Sequence, residues 1–288
     1  MTQNTFYNTY SGQINHFIAQ ALEEDIGTGD QSSLSCLDNR VESTAVLRAK
    51  EEGIIAGIAL AEKIFHHVNP AIDFKANRND GDSIIEGDTV FTIKGPQHDV
   101  LATERLVLNC MQRMSGIATL TKRICEQIKH TQCRVLDTRK TTPNFRYPEK
   151  WAVKIGGGKN HRMGLYDVIM IKDNHIDFNG SLQATLKRTE QYLKKNNLNI
   201  KTIVEVRNME EINACMDFPW LHRLLLDNMR PSELAKAVAH IGNRFPTEAS
   251  GNITEDNIVA VAESGVNYAS LGALTHSAKT IDLSLKSI

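Results

Sequence analysis

Apolar residues at Ile14, Phe17, Ile18 and Leu22 fall on one face at helical spacing and predict a helix over residues 14–22. It runs into EEDIGTGD, which reads as a Gly-punctuated acidic loop. Four segments then alternate apolar and polar positions: STAVLRAKE, GIIAGIAL, AIDFKANR and DTVFTIKG. They predict strands of an antiparallel or mixed sheet, with a helix near residues 59–68 among them. From Val100 to about His130 the pattern is helical, with a break expected at Ser115-Gly116.

Beyond residue 130 the rhythm changes. Short apolar runs recur, RVLDT, DVIMI, TIVEV, RLLLD, FPTEAS and NYASLG, and helices are expected between them at residues 181–195, 209–216, 232–240 and 255–264. Alternating strands and helices with apolar strands predict a parallel sheet covered by helices. About six or seven such units could close into a barrel, irregular because it falls short of the usual eight. An open doubly wound sheet is the alternative, but its dinucleotide signature GxGxxG is missing.

The strand ends carry the chemistry. RVLDT leads to Arg139 and Lys140, and DVIMI leads to Lys172. TIVEV holds Glu205, RLLLD ends in Asp227, FPTEAS runs into Gly251, and NYASLG ends at Gly272. Cations, carboxylates and Gly turns at one end of a barrel suit a phosphorylated substrate with a divalent metal. A lone strand-end carboxylate is usually an ion-pair partner; two at matching ends favour function.

Charge distribution sharpens this. Between Arg134 and Lys172 there are nine basic and three acidic residues, while the other 24 basic and 31 acidic residues sum to −7. A basic run is most often a solvated face. Phe145, Tyr147 and Trp151 among the cations also admit an RNA-binding surface. The cations directly after apolar strands favour a pocket for a small, densely anionic ligand instead.

Length and a 41% hydrophobic content allow a substantial core. Five cysteines, odd in number and without a CxxC pair, predict reduced thiols, no zinc site and a cytoplasmic location. The N-terminal stretch lacks the charge and apolar pattern of a secretory signal, and no apolar run approaches bilayer length. The Walker phosphate loop fails, since Val153 stands where its first Gly belongs and Asn160 follows Gly158-Lys159. HExxH and GxSxG are missing. EEDIGTG superficially resembles a type I phosphoribosyltransferase loop, but it ends an amphipathic helix rather than an apolar strand. DGDSIIEGDTVFTIKG resembles a carrier-domain hairpin without its lysine-bearing turn, so a sandwich strand pair is the better reading.

The segments EDIGTGD, ERLVLNCMQRMSGIAT, DTRKTTP, EKWAVKIGGGKNHRMGL, IKDNH, VEV, LLLDNM, EASGNI and SLGALTHS together resemble the quinolinate phosphoribosyltransferase family, type II phosphoribosyltransferases of NAD biosynthesis. The resemblance covers nearly the whole chain. It implies an N-terminal α/β sandwich domain (residues 1–115) and an incomplete α/β barrel (residues 116–275), with residues 276–288 packing back on the first. It also implies phosphoribosyl transfer from phosphoribosyl pyrophosphate to quinolinate with decarboxylation, and a Mg2+ requirement. Arg105, Arg139, His161, Arg162 and Lys172 would bind the dicarboxylate. Lys140 would meet phosphate oxygens, and Glu205 and Asp227 the ribose hydroxyls and, directly or through water, the metal. Ser250, Gly251, Asn252, Gly272 and Ala273 would receive the 5-phosphate. A homodimer or larger assembly is implied, with Arg105 reaching the partner subunit's pocket. A nicotinate-specific phosphoribosyltransferase is the nearest rival. Three residues depart from the family pattern: Asn144 and Asn252 replace common glycines, and Arg207 stands where an acidic residue is common.

Overall fold

The computed structural model describes residues 4–38 and 41–288 and divides into two compact units. The first comprises Met1–Lys122, Thr141–Gly157 and Leu274–Ile288; the second comprises Arg123–Lys140 and Gly158–Ala273.

The first unit opens with helix α1 (Asn4–Ile26), kinked at Tyr10. Ile14, Ile18 and Leu22 are buried along the predicted face, with Phe6 added a few turns earlier. The helix is longer than its apolar period because Glu23–Ile26 continue it; the turn is confined to Gly27 and Gly29, both at positive φ. Asp30 then caps α2 (Gln31–Cys36), its carboxylate accepting from the backbone N–H groups of Ser32 and Ser33.

Strands β1 (Glu42–Ala49) and β2 (Gly53–Ile54) precede α3 (Ile58–Val68); β3 (Asp73–Ala76), β4 (Ser83–Ile84) and β5 (Thr89–Pro96) follow. The main antiparallel sheet has the order β12-β1-β5-β3, where β12 is Leu283–Ser287. Two readings change here. GIIAGIAL is mostly not strand, because only Gly53–Ile54 pairs before the chain turns at Gly57 into α3. The segment DGDSIIEGDTVFTIKG is not a strand pair either: β4 pairs with β2, whereas β5 joins β1 and β3. Phe65 of α3 packs with Phe74 and Phe91 of the sheet.

Helix α4 (Gln97–Gln127) runs without the break expected at Ser115-Gly116. Those small residues serve close packing instead. Ser115 Oγ accepts the Ala56 N–H, and a Cβ on Gly116 would stand 1.8 Å from the Lys279 carbonyl oxygen. Helix α5 (Arg146–Ile155) and its N-cap Phe145 are held to α1 by four aromatic pairs, Phe6–Trp151, Tyr7–Trp151, Tyr10–Tyr147 and Phe17–Phe145. The aromatics that suggested base stacking are therefore spent on packing, and Trp151 is buried.

The second unit carries β6 (Arg134–Leu136), β7 (Ile169–Ile171), β8 (Thr202–Val206), β9 (Arg223–Asp227), β10 (Thr247–Ser250) and β11 (Tyr268–Ser270). All pair in parallel in the order β6-β11-β10-β9-β8-β7. Apart from the step that puts β6 beside β11, neighbours in the sheet are neighbours in the chain. This is a six-stranded, incomplete α/β barrel, with no ladder between β6 and β7 among the described residues. Helices α6 (Asp173–Asn179), α7 (Leu182–Lys195), α8 (Met209–Cys215), α9 (Pro231–Ile241) and α10 (Ile258–Glu263) connect the strands, and α11 (Ala273–His276) follows β11. The expected connecting helices are present, α10 being shorter than expected because Thr254 and Asn257 form a turn before it. Every residue of β8 is buried, which is why these strands read as unbroken apolar runs.

Candidate active site

Parallel strands in one register bring their C-terminal ends to one edge of the second unit. Glu205 stands opposite Leu225, and Asp227 opposite Ser250. Asp137, Lys172 and Gly272 lie just past the ends of β6, β7 and β11.

Asp137 is fully buried and anchors the Gly158–Arg162 segment. Its carboxylate accepts from Asn160 Nδ2 at 2.6 Å and from the His161 backbone N–H at 2.8 Å. Lys159 extends the arrangement by bridging in parallel to Leu136 of β6. The basic segment is thus fastened to the end of the first barrel strand rather than left as a solvated face. Its glycines have another use: a Cβ on Gly156 would lie 2.5 Å from the Ala118 carbonyl oxygen, so that residue permits close packing of α5 on α4.

The His161 ring is nearly buried. Nδ1 accepts the Arg162 backbone N–H at 2.7 Å, which places the ring proton on Nε2, 3.3 Å from Glu248 Oε2. Glu248 has no solvent exposure and also receives Arg223 Nη1 at 2.7 Å. The Arg223 guanidinium lies 4.0 Å from the Tyr268 ring centroid. Burial pushes the Glu248 pKa up, but the contacts with His161 and Arg223 outweigh it and the net shift is downward.

Arg162 donates from Nη1 to the Val168 carbonyl at 3.1 Å. Its pKa is lowered, first by burial and then by the neighbouring Arg139, with Asp167 pulling the other way. Asp167 in turn accepts the Met163 and Gly164 N–H groups, closing the loop that carries Arg162. Two guanidiniums close enough to repel, one of them half-buried, form a site that an anion with two acceptor groups would relieve.

Lys172 Nζ donates to Glu205 Oε2; the lysine side chain is half-exposed and the carboxylate nearly buried. Asp227 is half-buried, and its Oδ2 accepts from Asn228 Nδ2 at 2.7 Å. Ser250, Gly251 and Asn252 turn directly beside it, with Gly251 at φ +87° and Asn252 at φ +49°. A cavity of about 250 Å³ opens there, lined among others by Asn228, Pro231, Ser250, Gly251 and Asn252. Arg139 and Lys140 are exposed at the β6 end, where the Lys140 N–H donates to Thr138 Oγ1. Gly272 and Ala273 close β11.

The second unit therefore gathers Arg139, Lys140, His161, Arg162, Lys172, Glu205, Asp227, Ser250, Gly251, Asn252, Gly272 and Ala273. Arg105 is placed elsewhere, exposed on α4 of the first unit. Among the residues that depart from the common pattern, Asn144 and Asn252 adopt positive φ, as the glycines they replace would. Arg207 pairs locally with Glu211 at 2.6 Å. Asp137, Arg223, Asn228 and Glu248 were not among the residues expected from the sequence. Glu248 left one trace, a charged residue inside an otherwise apolar strand.

No group of three or more His, Cys, Asp or Glu residues suited to a metal occurs among the described residues. The two strand-end carboxylates fit a hard cation that takes its remaining ligands from phosphate oxygens and water, as Mg2+ does.

Family models of the quinolinate phosphoribosyl transferase N-terminal and C-terminal domains match residues 30–115 and 117–286. A mitochondrial quinolinate phosphoribosyltransferase [decarboxylating] 2b of Nicotiana tabacum is 46% identical over 281 residues, covering 92% of this chain and 80% of its own length. A probable nicotinate-nucleotide pyrophosphorylase [carboxylating] of Bacillus subtilis is 40% identical, covering 94% of this chain and 91% of that one. Among solved structures, the nicotinate-nucleotide pyrophosphorylase of Francisella tularensis superimposes with a TM-score of 0.87 at 34% identity, over 96% of each chain.

Proposed function

The chain belongs to the quinolinate phosphoribosyltransferase family, and we infer that it transfers the phosphoribosyl group of phosphoribosyl pyrophosphate to quinolinate with loss of CO2. Nicotinate mononucleotide and pyrophosphate are the other products, in the pathway to NAD. The observation that carries this reading is the placing of Arg139 and Lys172 just past the ends of β6 and β7, with half-buried Arg162 on the loop that Asp137 and Asp167 hold beside them. A pyridine dicarboxylate supplies two planar carboxylates for two planar guanidinium forks. Lys172 adds a third cation, already close to the carboxylate of Glu205. His161 serves that pocket by fixing the Arg162 backbone.

On the other side of the site, Asp227 and Glu205 accept from the ribose hydroxyls. The backbone N–H groups of the Ser250–Asn252 turn and of Gly272-Ala273 receive the 5-phosphate. Lys140 meets the phosphate oxygens. The pyridine nitrogen attacks the anomeric carbon as the carbon–oxygen bond to pyrophosphate breaks, through an oxocarbenium-like transition state. The ring nitrogen then carries positive charge. It draws in the electron pair left when the adjacent carboxylate departs as CO2, and a proton from solvent replaces it. Glu205 and Asp227 would hold Mg2+, directly or through water, which offsets the charge of the departing pyrophosphate.

Arg105 is exposed on α4 of the first unit while the other cations belong to the second, which supports a homodimer or larger assembly in which it completes a partner subunit's pocket. The five cysteines form no disulfide among the described residues, which supports a reducing, cytoplasmic setting. No described helix is long and apolar enough to cross a membrane.

The test is turnover of carboxyl-labelled quinolinate with phosphoribosyl pyrophosphate and Mg2+. Labelled CO2 and nicotinate mononucleotide are expected in equal amounts, with none formed when chelator replaces the metal. Turnover of nicotinate without CO2 release, and none of quinolinate, would select the monocarboxylate enzyme instead.

A further inference from the structure

Asn228 is in none of the roles assigned above, yet three bonds converge on it. Its side-chain Nδ2 donates to Asp227 Oδ2 at 2.7 Å, and its Oδ1 accepts Asn252 Nδ2 at 3.1 Å. Its backbone N–H donates to the Ser250 carbonyl at 2.8 Å. Gly251 presses against the same amide, since a Cβ there would lie 2.2 Å from Asn228 Oδ1. Asn228 itself sits at φ +53°, a left-handed turn that aims its side chain back across the two strand ends. The far end is fastened as well, because Asn257 Nδ2 donates to the Asn252 carbonyl at 2.9 Å.

We propose that Asn228 is a positioning residue that locks the Asp227 carboxylate and the Ser250–Asn252 turn into one bracket, so that the ribose and the 5-phosphate of phosphoribosyl pyrophosphate meet a preformed site. This rests on the assignment of those two features to that substrate. The amide is suited to the task because it donates and accepts at once: it donates a hydrogen bond to the carboxylate and accepts one from Asn252. Fixing one Asp227 oxygen holds the carboxylate in one orientation, and tying the turn lowers the ordering cost of binding. Asn252, which stands where a glycine is common, supplies a bond that glycine could not.

Asn228→Gly retains the left-handed backbone and deletes the amide. It is expected to raise KM for phosphoribosyl pyrophosphate about tenfold, the worth of one to two lost hydrogen bonds, and to leave KM for quinolinate unchanged. Asn252→Gly removes one bond only and should cost a few-fold on the same constant. The double variant should be no worse than Asn228→Gly, since the two share that bond. Calorimetric titration with ribose 5-phosphate, a probe that needs no turnover, should show the same ranking. A variant that merely loosens the fold would shift both substrates together. Unchanged ribose 5-phosphate affinity in folded Asn228→Gly, equal changes in both KM values, or an additive double variant would overturn the bracket. Failure of the wild-type protein to turn over quinolinate would instead strike the functional reading, leaving the ribose 5-phosphate titration to decide on the bracket.

Discussion

In the proposed carboxylate clamp, Arg139 and Arg162 would set specificity by geometry rather than by charge alone. A lysine at either position would keep the cation but lose the planar fork that matches a carboxylate on two oxygens. Arg139→Lys is therefore expected to weaken quinolinate binding by about 1.5–3 kcal/mol, the worth of a charged hydrogen bond, without loss of thermal stability, because Arg139 is exposed. Fluorescence titration with unchanged quinolinate affinity would remove it from the clamp. Glu248 is the opposite case, a charge with no solvent contact that is tolerated because His161 and Arg223 both face it.

Among the elements, α4 and α3 carry the sharpest dependence on single residues. Gly116 lies in the middle of α4 with the Lys279 carbonyl where its side chain would be. Gly116→Ala improves helix propensity but forces a backbone atom to move, so a net loss of about 3 kcal/mol is expected. A melting temperature equal to or above wild type would show that the Lys279 segment yields freely. Asp80 accepts the N–H groups of Ile58 and Ala59 at the start of α3. Burial raises its pKa above the ordinary 3.8 despite those bonds. In this window the native state binds more protons than the unfolded chain, so stability falls as pH rises from about 4 through the raised native value, and is flat above it. Asp80→Asn keeps an acceptor for the Ile58 N–H and should remove that slope. Urea midpoints across a pH series that decline equally in both proteins would assign the slope to another group.

At the scale of the molecule, the proposed assembly, in which Arg105 of the first unit serves a partner's pocket, predicts a site shared between subunits. Arg105→Ala and Lys140→Ala proteins should each be nearly inactive. Mixed and reassociated, they should recover roughly a quarter of wild-type sites, since one site of each mixed dimer carries both native residues. No recovery, with subunit exchange verified by mass spectrometry, would place Arg105 in its own chain's site or outside the site.

Strand–helix alternation, the cations and carboxylates at strand ends and the glycine-marked turns could all be read from the sequence, because each is a local pattern whose period or terminus is written in consecutive residues. Those patterns led to the barrel and to Arg139, Lys140, Lys172, Glu205, Asp227, Gly251 and Gly272, while the family resemblance supplied Arg105, His161, Arg162, Ser250, Asn252 and Ala273. What the chain left open depends on partners distant in sequence. Ser115-Gly116 reads as a break, and only the Ala56 N–H and the Lys279 carbonyl show why a small pair belongs inside a helix. The place of α5 rests on aromatic pairing with α1, more than a hundred residues away. The reading of β4 and β5 as a pair failed because alternation specifies a face and not a neighbour, and β4 pairs with β2. Glu248 and Asn228 acquire meaning only from the side chains that register sets beside them, so their roles belong to the tertiary structure.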